Sequence, residues 1–462
     1  MTDYLPPPAQ DSPVAERPTE PADPSAAKTN KMPKVAFASF MGTVIEFYDF
    51  GIFGTAAALV FAHAFFPALG TYAGTVVAFA TLGVAFVARP FGSILFGHFG
   101  DRLGRKRTLI STMCLMGTAT VIIGLLPTAA TAGVVAPILL IVLRVAQGLA
   151  AGGEWAGAAL FTSENAPSDR RGFWSMFTNL GGAVANILAL STFFVTGLFM
   201  SNEAFIAWGW RVPFLLSIVL VTVGLYARFK LEESPIFANE VKRRGRSSLP
   251  FKDALANQWR EILLGAGALV SSFAFGYIGI AYLINYGTAT LHLSQHGVLA
   301  AGIFGNVVNG LAMISGAILS DRIGRRPVLL IVNMIGIPWA LVLFPLLDTE
   351  SPVAFWIGIT VSFLIAGHGW GVCGSFLSEL FHTRYRFTAA GLAYSLAAIL
   401  GGGVPPLVAA SIIGSHGGFV FGIFLAGYCL VGLACTVVLR ETRSRALDEL
   451  PPDIGFARAD NN

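Results

Sequence analysis

Five charged side chains stand inside long apolar runs: Glu46, Asp49, Arg89, Arg144 and Glu154. At the centre of a membrane helix each costs about 2.5–3.5 kcal/mol, so such residues persist where they pair or where they work. Glu46 and Asp49 lie three residues apart and share one helix face. Two carboxylates that close favour holding a shared proton, and a neighbouring guanidinium opposes it. A guanidinium also offers a two-pronged donor fork to a carboxylate. The set therefore suits two tasks, binding an organic anion and taking up a proton. A static, neutralised network is the alternative.

Membrane spans must position these residues. Of the 462 residues, 55% are hydrophobic and 12% charged, and the mean hydropathy is +0.68. A soluble domain carries about 25% charged residues, so this chain cannot clothe a water-facing surface of its size. The composition predicts an all-α polytopic membrane protein. The 52 glycines suit close helix packing in lipid. Apolar runs of about 20 residues, enough to cross a bilayer, fall near 36–61, 73–97, 108–127, 134–162, 173–200, 211–229, 261–287, 297–319, 328–347, 353–378, 387–413 and 417–439. That predicts twelve transmembrane helices.

Basic residues set the orientation. Of 30 Lys and Arg, 27 fall in the tails and even-numbered loops, and the odd-numbered loops hold only Arg211. Arg89 and Arg144 are the remaining two. By the positive-inside rule both termini are expected in the cytoplasm. Residues 1–34 hold eight of the 24 prolines and read as a disordered tail with no signal peptide. The expected organisation is this tail, a six-helix bundle over 35–228, a basic linker over 229–260, a second bundle over 261–440 and a short tail over 441–462.

Depth along each span, at about 1.5 Å per residue, suggests partners. Glu46 and Asp49 lie about 15–20 Å from the cytoplasmic end of span 1, and Arg144 lies about 15 Å from the outer end of span 4. The expectation is a midplane cluster of Asp49, Glu46 and Arg144, with an Arg89–Glu154 pair nearer the cytoplasm.

The chain also repeats itself. The segment from Gly97 through Asp101-Arg102-Leu103-Gly104-Arg105-Lys106 returns as Asp321-Arg322-Ile323-Gly324-Arg325-Arg326, and its two aspartates are 220 residues apart. Each copy follows the second span of a six-span half. Ser163-Glu164 with Arg170-Arg171, after span 4, is echoed by Ser378-Glu379 with Arg384, after span 10. Two bundles related by a pseudo-two-fold axis along the membrane normal would meet at a midplane site. Gly104 permits a tight turn, and Asp101 can accept from a helix N-terminus or a basic partner. These loop residues are candidates for a conformational gate; charges that merely fix topology are the alternative.

At this point the residues resemble a known group. Gly97-x3-Asp101-Arg102-x-Gly104-Arg105-Lys106, with Arg144-x2-Gln147-Gly148 in span 4, is similar to signatures of the major facilitator superfamily. Glu46-Phe47-Tyr48-Asp49, Arg89-Pro90-Phe91-Gly92, Gly153-Glu154-Trp155 and Glu232-Glu233-Ser234-Pro235 resemble its metabolite:proton symporter family. That family includes permeases for α-ketoglutarate, citrate, shikimate and proline/betaine. The resemblance covers about residues 35–445. Two departures stand out: Phe47 occupies a position where the family often has Trp, and the short final tail shows no heptads.

The resemblance implies two six-helix bundles in a bacterial inner membrane, and a proton-coupled importer of a small organic acid or zwitterion working by alternating access. An exporter by antiport and an uncoupled facilitator remain the rivals. No enzyme activity, nucleic-acid partner, cofactor or metal is expected, and a monomer is. The candidate coupling residues are Asp49, Glu46, Arg144 and Glu154. The candidate substrate residues are Arg144, Arg89, Tyr48, Gln147, Trp155, Tyr277, Tyr282, Asn285, Asn306, His368 and Trp370, with Tyr286 and Asn309 as further polar residues of spans 7 and 8. The candidate gate residues are Gly97, Asp101, Arg102, Gly104, Arg105, Glu164, Arg171, Asp321, Arg322, Gly324, Arg325 and Glu379. The four cysteines all fall within spans and show no metal-ligand spacing.

Overall fold

A computed structural model describes residues 32–230, 250–383, 385–443 and 447. Residues of both tails and most of the expected linker lie outside this set, as do the side chains of Asp101, Arg102, Arg105 and Asn285.

Among the described residues, twelve helices are long and apolar enough to cross a membrane: α1 Met32–Ala56, α2 Ala80–Gly100, α3 Lys106–Leu125, α4 Val135–Asn165, α5 Ser168–Phe193, α6 Phe205–Phe229, α7 Ala254–Ile280, α8 Ala300–Ile323, α9 Arg325–Leu347, α10 Pro352–Leu380, α11 Arg386–Ala409 and α12 Gly418–Val438. The described residues contain no strand. This follows from the solvent: lipid offers no hydrogen bonds, so the backbone must satisfy itself within each span. Every expected span overlaps one of the twelve.

The internal repeat is visible in the packing. In the first half α2 lies against α4, α1 against α5, and α3 against α6. The second half repeats this as α8 on α10, α7 on α11 and α9 on α12. Between the halves α2 meets α11 and α5 meets α8, two contacts that exchange under the same pseudo-symmetry. Gly104 and Gly324 close the matched turns at φ +110° and +108°, a backbone region that Gly enters without a Cβ penalty.

The first and seventh spans include π-helical stretches. The first span runs on through Ala57–Phe61, and the seventh through Ile278–Tyr282 and Tyr286–Thr290. Each such turn inserts an extra residue and rotates the side chains beyond it. The seventh span's helix already starts at Pro250, inside the expected linker, with a kink at Gln258.

Small residues set how closely α2 and α4 approach. A Cβ on Gly92 would lie 2.0 Å from the Leu149 carbonyl oxygen, and one on Gly152 2.0 Å from that of Arg89. Backbone cannot yield as a side chain does, so the contact fixes Arg89 against α4. Gly152→Ala is expected to cost about 1–3 kcal/mol and to lower the melting temperature of purified protein. An unchanged transition would contradict the close contact.

Candidate functional site

Positions 46, 49, 50 and 53 fall on one face of α1 at 3.6 residues per turn, and this face carries the charges. Glu46 Oε1 accepts from Arg89 Nη2 of α2 at 2.8 Å. Asp49 Oδ2 accepts from Arg144 Nη1 of α4 at 3.3 Å, and its Oδ1 accepts from Thr120 of α3 at 2.6 Å and from Gln147. Gln147 Oε1 in turn accepts from Arg144 at 2.9 Å. Glu46, Asp49, Arg89, Arg144 and Gln147 are all 0–1% exposed. Phe50 lies between the two guanidiniums, 4.5 Å from Arg89 and 4.9 Å from Arg144, and Arg144 also stacks on Phe53 at 3.8 Å. These aromatic faces offset part of the desolvation of the cations.

The pairs differ from those expected from depth along the spans. Arg89 does not meet Glu154; it takes Glu46, and Arg144 keeps Asp49 alone. Glu154 instead pairs with Arg228 of α6, accepts from Thr112 at 2.6 Å, and packs against Gly42. Arg228, at the end of the sixth span and one of the 27 basic residues assigned to tails and loops, is a buried member of the first bundle. Depth places residues on one axis only; the direction each faces round its helix decided the partners.

The candidate substrate residues divide. Trp370 of α10 lines a narrow cavity between the halves, together with Phe47, Asn179, Asn186, Asn309 and Tyr394. The cavity has room for little more than one water. Trp155 stacks on Tyr394 across the interface, with ring centroids 3.7 Å apart, and donates to Asn179 at 2.8 Å. Tyr277 meets Phe86 edge-on across the same interface, beside Arg89.

Four candidates lie elsewhere. Tyr48 sits on the opposite side of α1 from Glu46 and donates to the Pro213 carbonyl at 2.9 Å inside the first bundle. Tyr282 ends a π-turn and packs on Tyr286 and on Phe421 of α12; Tyr286 donates to Asp348 at 2.6 Å. His368 is two residues from Trp370 and so faces away from it, bridging Ser315 of α8 and the Leu364 carbonyl. Asn306 bonds its own helix at Gly302.

Asn179, Asn186, Thr120 and Tyr394 were not anticipated. The two asparagines are seven residues apart, which places them on one face of an otherwise apolar helix. That signal was readable; nothing in the sequence marks Tyr394.

The loop motifs close one end of the interface. Gly172 and Phe173, at the start of α5, donate their N–H groups to the two oxygens of Asp321, each at 2.8 Å. Arg171 donates to Glu379 at 3.0 Å, and Arg386 lies 3.7 Å from Glu164. Each glutamate precedes its own half's arginine by seven residues, so the halves exchange partners crosswise. The counterpart of Arg171 is therefore Arg386; Arg384 lies outside the described residues. Arg325 braces Glu379 and Asp321, and Thr442 donates to Glu379 at 3.0 Å. Gly97 and Gly100 lie against Thr388 and Phe387 of α11. Arg322, by contrast, is exposed. Further in, Ser93 meets Ser395 at 2.9 Å, and Asn179 donates to the Trp370 carbonyl at 2.7 Å.

Twelve spans among the described residues and an internal two-fold repeat define a multi-pass membrane protein of two matched halves. The chain belongs to the sugar (and other) transporter family, whose model matches residues 34–258 and 247–453, within the major facilitator superfamily. It is 39% identical over 423 residues to the inner membrane metabolite transport protein YhjE of Escherichia coli (strain K12), covering 90% of this chain and 96% of that one. It is 38% identical to the shikimate transporter of the same strain (89% and 95%), and 31% identical to its proline/betaine transporter (91% and 86%). Among solved structures, the proton:xylose symporter XylE bound to 6-bromo-6-deoxy-D-glucose superposes with a TM-score of 0.72 at 18% identity, over 90% of this chain and 98% of that one. This last likeness is one of fold.

Glu379 holds two arginines and a threonine at the closed end, and removing one partner of a buried ion pair costs about 3–5 kcal/mol. In Glu379→Gln, a cysteine introduced as Ser395→Cys is expected to react several-fold faster with an impermeant maleimide added from the loop-motif side. Equal rates would contradict a closing role for Glu379.

Proposed function

We propose that this protein imports a small carboxylate-bearing metabolite together with protons, by alternating access, across a bacterial inner membrane. Both termini and the motif-bearing loops lie in the cytoplasm, the side on which most of the basic residues concentrate. In this orientation the arrangement described is shut towards the cytoplasm by the crosswise Arg171–Glu379 and Arg386–Glu164 pairs and by Asp321. Opening to the cytoplasm requires these to part, and the narrow cavity around Asn179, Asn309, Trp370 and Tyr394 widens into a substrate chamber.

The observation that carries the reading is Arg89. It is buried beside the interface, and its Nε and Nη1 have no hydrogen-bond partner. A buried cation with spare donors is costly unless an anion completes it. Arg144 has two spare donors as well, on Nε and Nη2, but lies deeper in the first bundle. Shikimate, proline and betaine, named for the relatives, each bear a carboxylate, which is the group this fork recognises.

A thermal-shift screen of purified protein against dicarboxylates, shikimate, citrate and betaines tests the substrate class. At least one carboxylate is expected to stabilise the protein, and Arg89→Lys to weaken that ligand about tenfold or more through loss of the planar fork. Stabilisation by uncharged sugars alone would contradict the reading. For coupling, uptake of the stabilising compound into proteoliposomes is expected to become concentrative under an inward proton gradient and to collapse with protonophore.

A further inference from the structure

We infer that Glu46, rather than Asp49, is the group that takes up the transported proton, and that it does so as a substrate carboxylate takes over its partner Arg89. This rests on the proton-coupled reading above and adds which of the two α1 carboxylates carries the proton.

The two carboxylates differ in how they are satisfied. Asp49 receives three donors, from Thr120, Gln147 and Arg144, spread over both oxygens. That is a complete shell for an anion. Glu46 receives one, Arg89 on Oε1, while Oε2 is buried with no partner. A lone carboxylate oxygen out of water is the least favourable charged acceptor in the bundle, and a proton on it removes the charge.

They differ also in what moves around them. All of the Asp49 partners belong to α3 and α4, in the same half, and travel with α1. Glu46 is held through Arg89, next to Phe86, which packs on Tyr277 of the opposite half. One turn along α2 from Arg89, Ser93 meets Ser395 of α11. The charged and titratable groups acting on Glu46 are Arg89 from α2, Asp49 from α1, Glu154 from α4, and Tyr277 and Tyr394 from α7 and α11. The last two leave when the halves separate on this side. A coupling proton needs a site whose surroundings change between the two states, and Glu46 has one while Asp49 does not.

The exchange balances in charge. In the empty site at alkaline pH Glu46 is an anion and Arg89 a cation; acid alone protonates the unpartnered Oε2, and a bound substrate carboxylate makes that protonation easier. When a substrate carboxylate enters, it accepts from the spare Nε and Nη1 of Arg89, and the Arg89–Glu46 bond is given up. A proton from the outer water then adds to Glu46, so the loaded site holds neutral Glu46, Arg89 and one substrate anion. After the halves rock over, the substrate leaves, Glu46 loses its proton to the cytoplasmic water, and the ion pair reforms.

Infrared difference spectroscopy on protein reconstituted in lipid, titrated between about pH 9 and about pH 5, tests this without a substrate, above the range where exposed carboxyls gain protons. The wild type is expected to gain a C=O stretch of a protonated carboxyl, absent in Glu46→Gln and present in Asp49→Asn. Glu46→Asp, which keeps the charge, is expected to shift the band, and an unshifted band there counts against Glu46 even if Glu46→Gln does not fold. A band lost in Asp49→Asn and kept in Glu46→Gln would overturn the assignment and leave the coupled reading standing. No titrating band in the wild type would remove the coupled reading itself.

Discussion

Charge neutrality in a medium that does not solvate charge is the constraint on which this structure depends. Among the described residues, six of the buried ionic side chains in the first bundle sort into three pairs within it: Glu46–Arg89, Asp49–Arg144 and Glu154–Arg228. Each pair joins different helices, so neutralisation also sets how α1, α2, α4 and α6 are arranged. Ion pairs buried this way are seldom stabilising compared with apolar packing. Their retention makes sense where the charge must change during a cycle, and the three pairs are not equally suited to that. Glu154–Arg228 is gripped by Thr112 and Gly42 within one half. Asp49 is enclosed by its own bundle. Glu46–Arg89 alone borders the other half.

The interface gives those pairs a consequence. The halves meet through a small number of exchanged polar contacts at one end and an aromatic layer further in, where Trp155 lies flat on Tyr394 and Asn179 ties Trp155 to the Trp370 backbone. Crosswise pairing of Arg171 with Glu379 and Arg386 with Glu164 makes closure a property of both halves together. Asp321 adds a carboxylate at the start of α5, where free N–H groups and the helix dipole favour an anion. Such contacts are short-ranged, so under the proposed alternating access a modest rocking of one bundle would break them together and open the cavity they cover.

Much of this was legible in the sequence, for physical reasons. Bilayer thickness fixes span length, so hydropathy located all twelve helices. The repeated Asp-Arg-x-Gly-Arg turns marked the two halves because a positive φ and an anion acceptor constrain residue type. Partners were less legible. The depth of Arg89 and Glu154 matched, yet each faces a different neighbour, and a single sequence contains no azimuth between helices. Arg228 looked like a loop charge because it ends its apolar run. Tyr282 was displaced by a π-turn that no residue pattern announced, whereas Tyr48 and His368 could have been excluded by counting 100° per residue from Glu46 and from Trp370.

If the site holds its net charge through the cycle, one proton accompanies each singly charged carboxylate and no charge crosses the membrane. Uptake of a monocarboxylate into proteoliposomes under a fixed pH gradient, with and without an imposed potassium diffusion potential, measures this most directly. The same initial rate is expected at zero potential and at an inside-negative potential, with no associated current. Acceleration by the potential, or a current proportional to uptake, would contradict it.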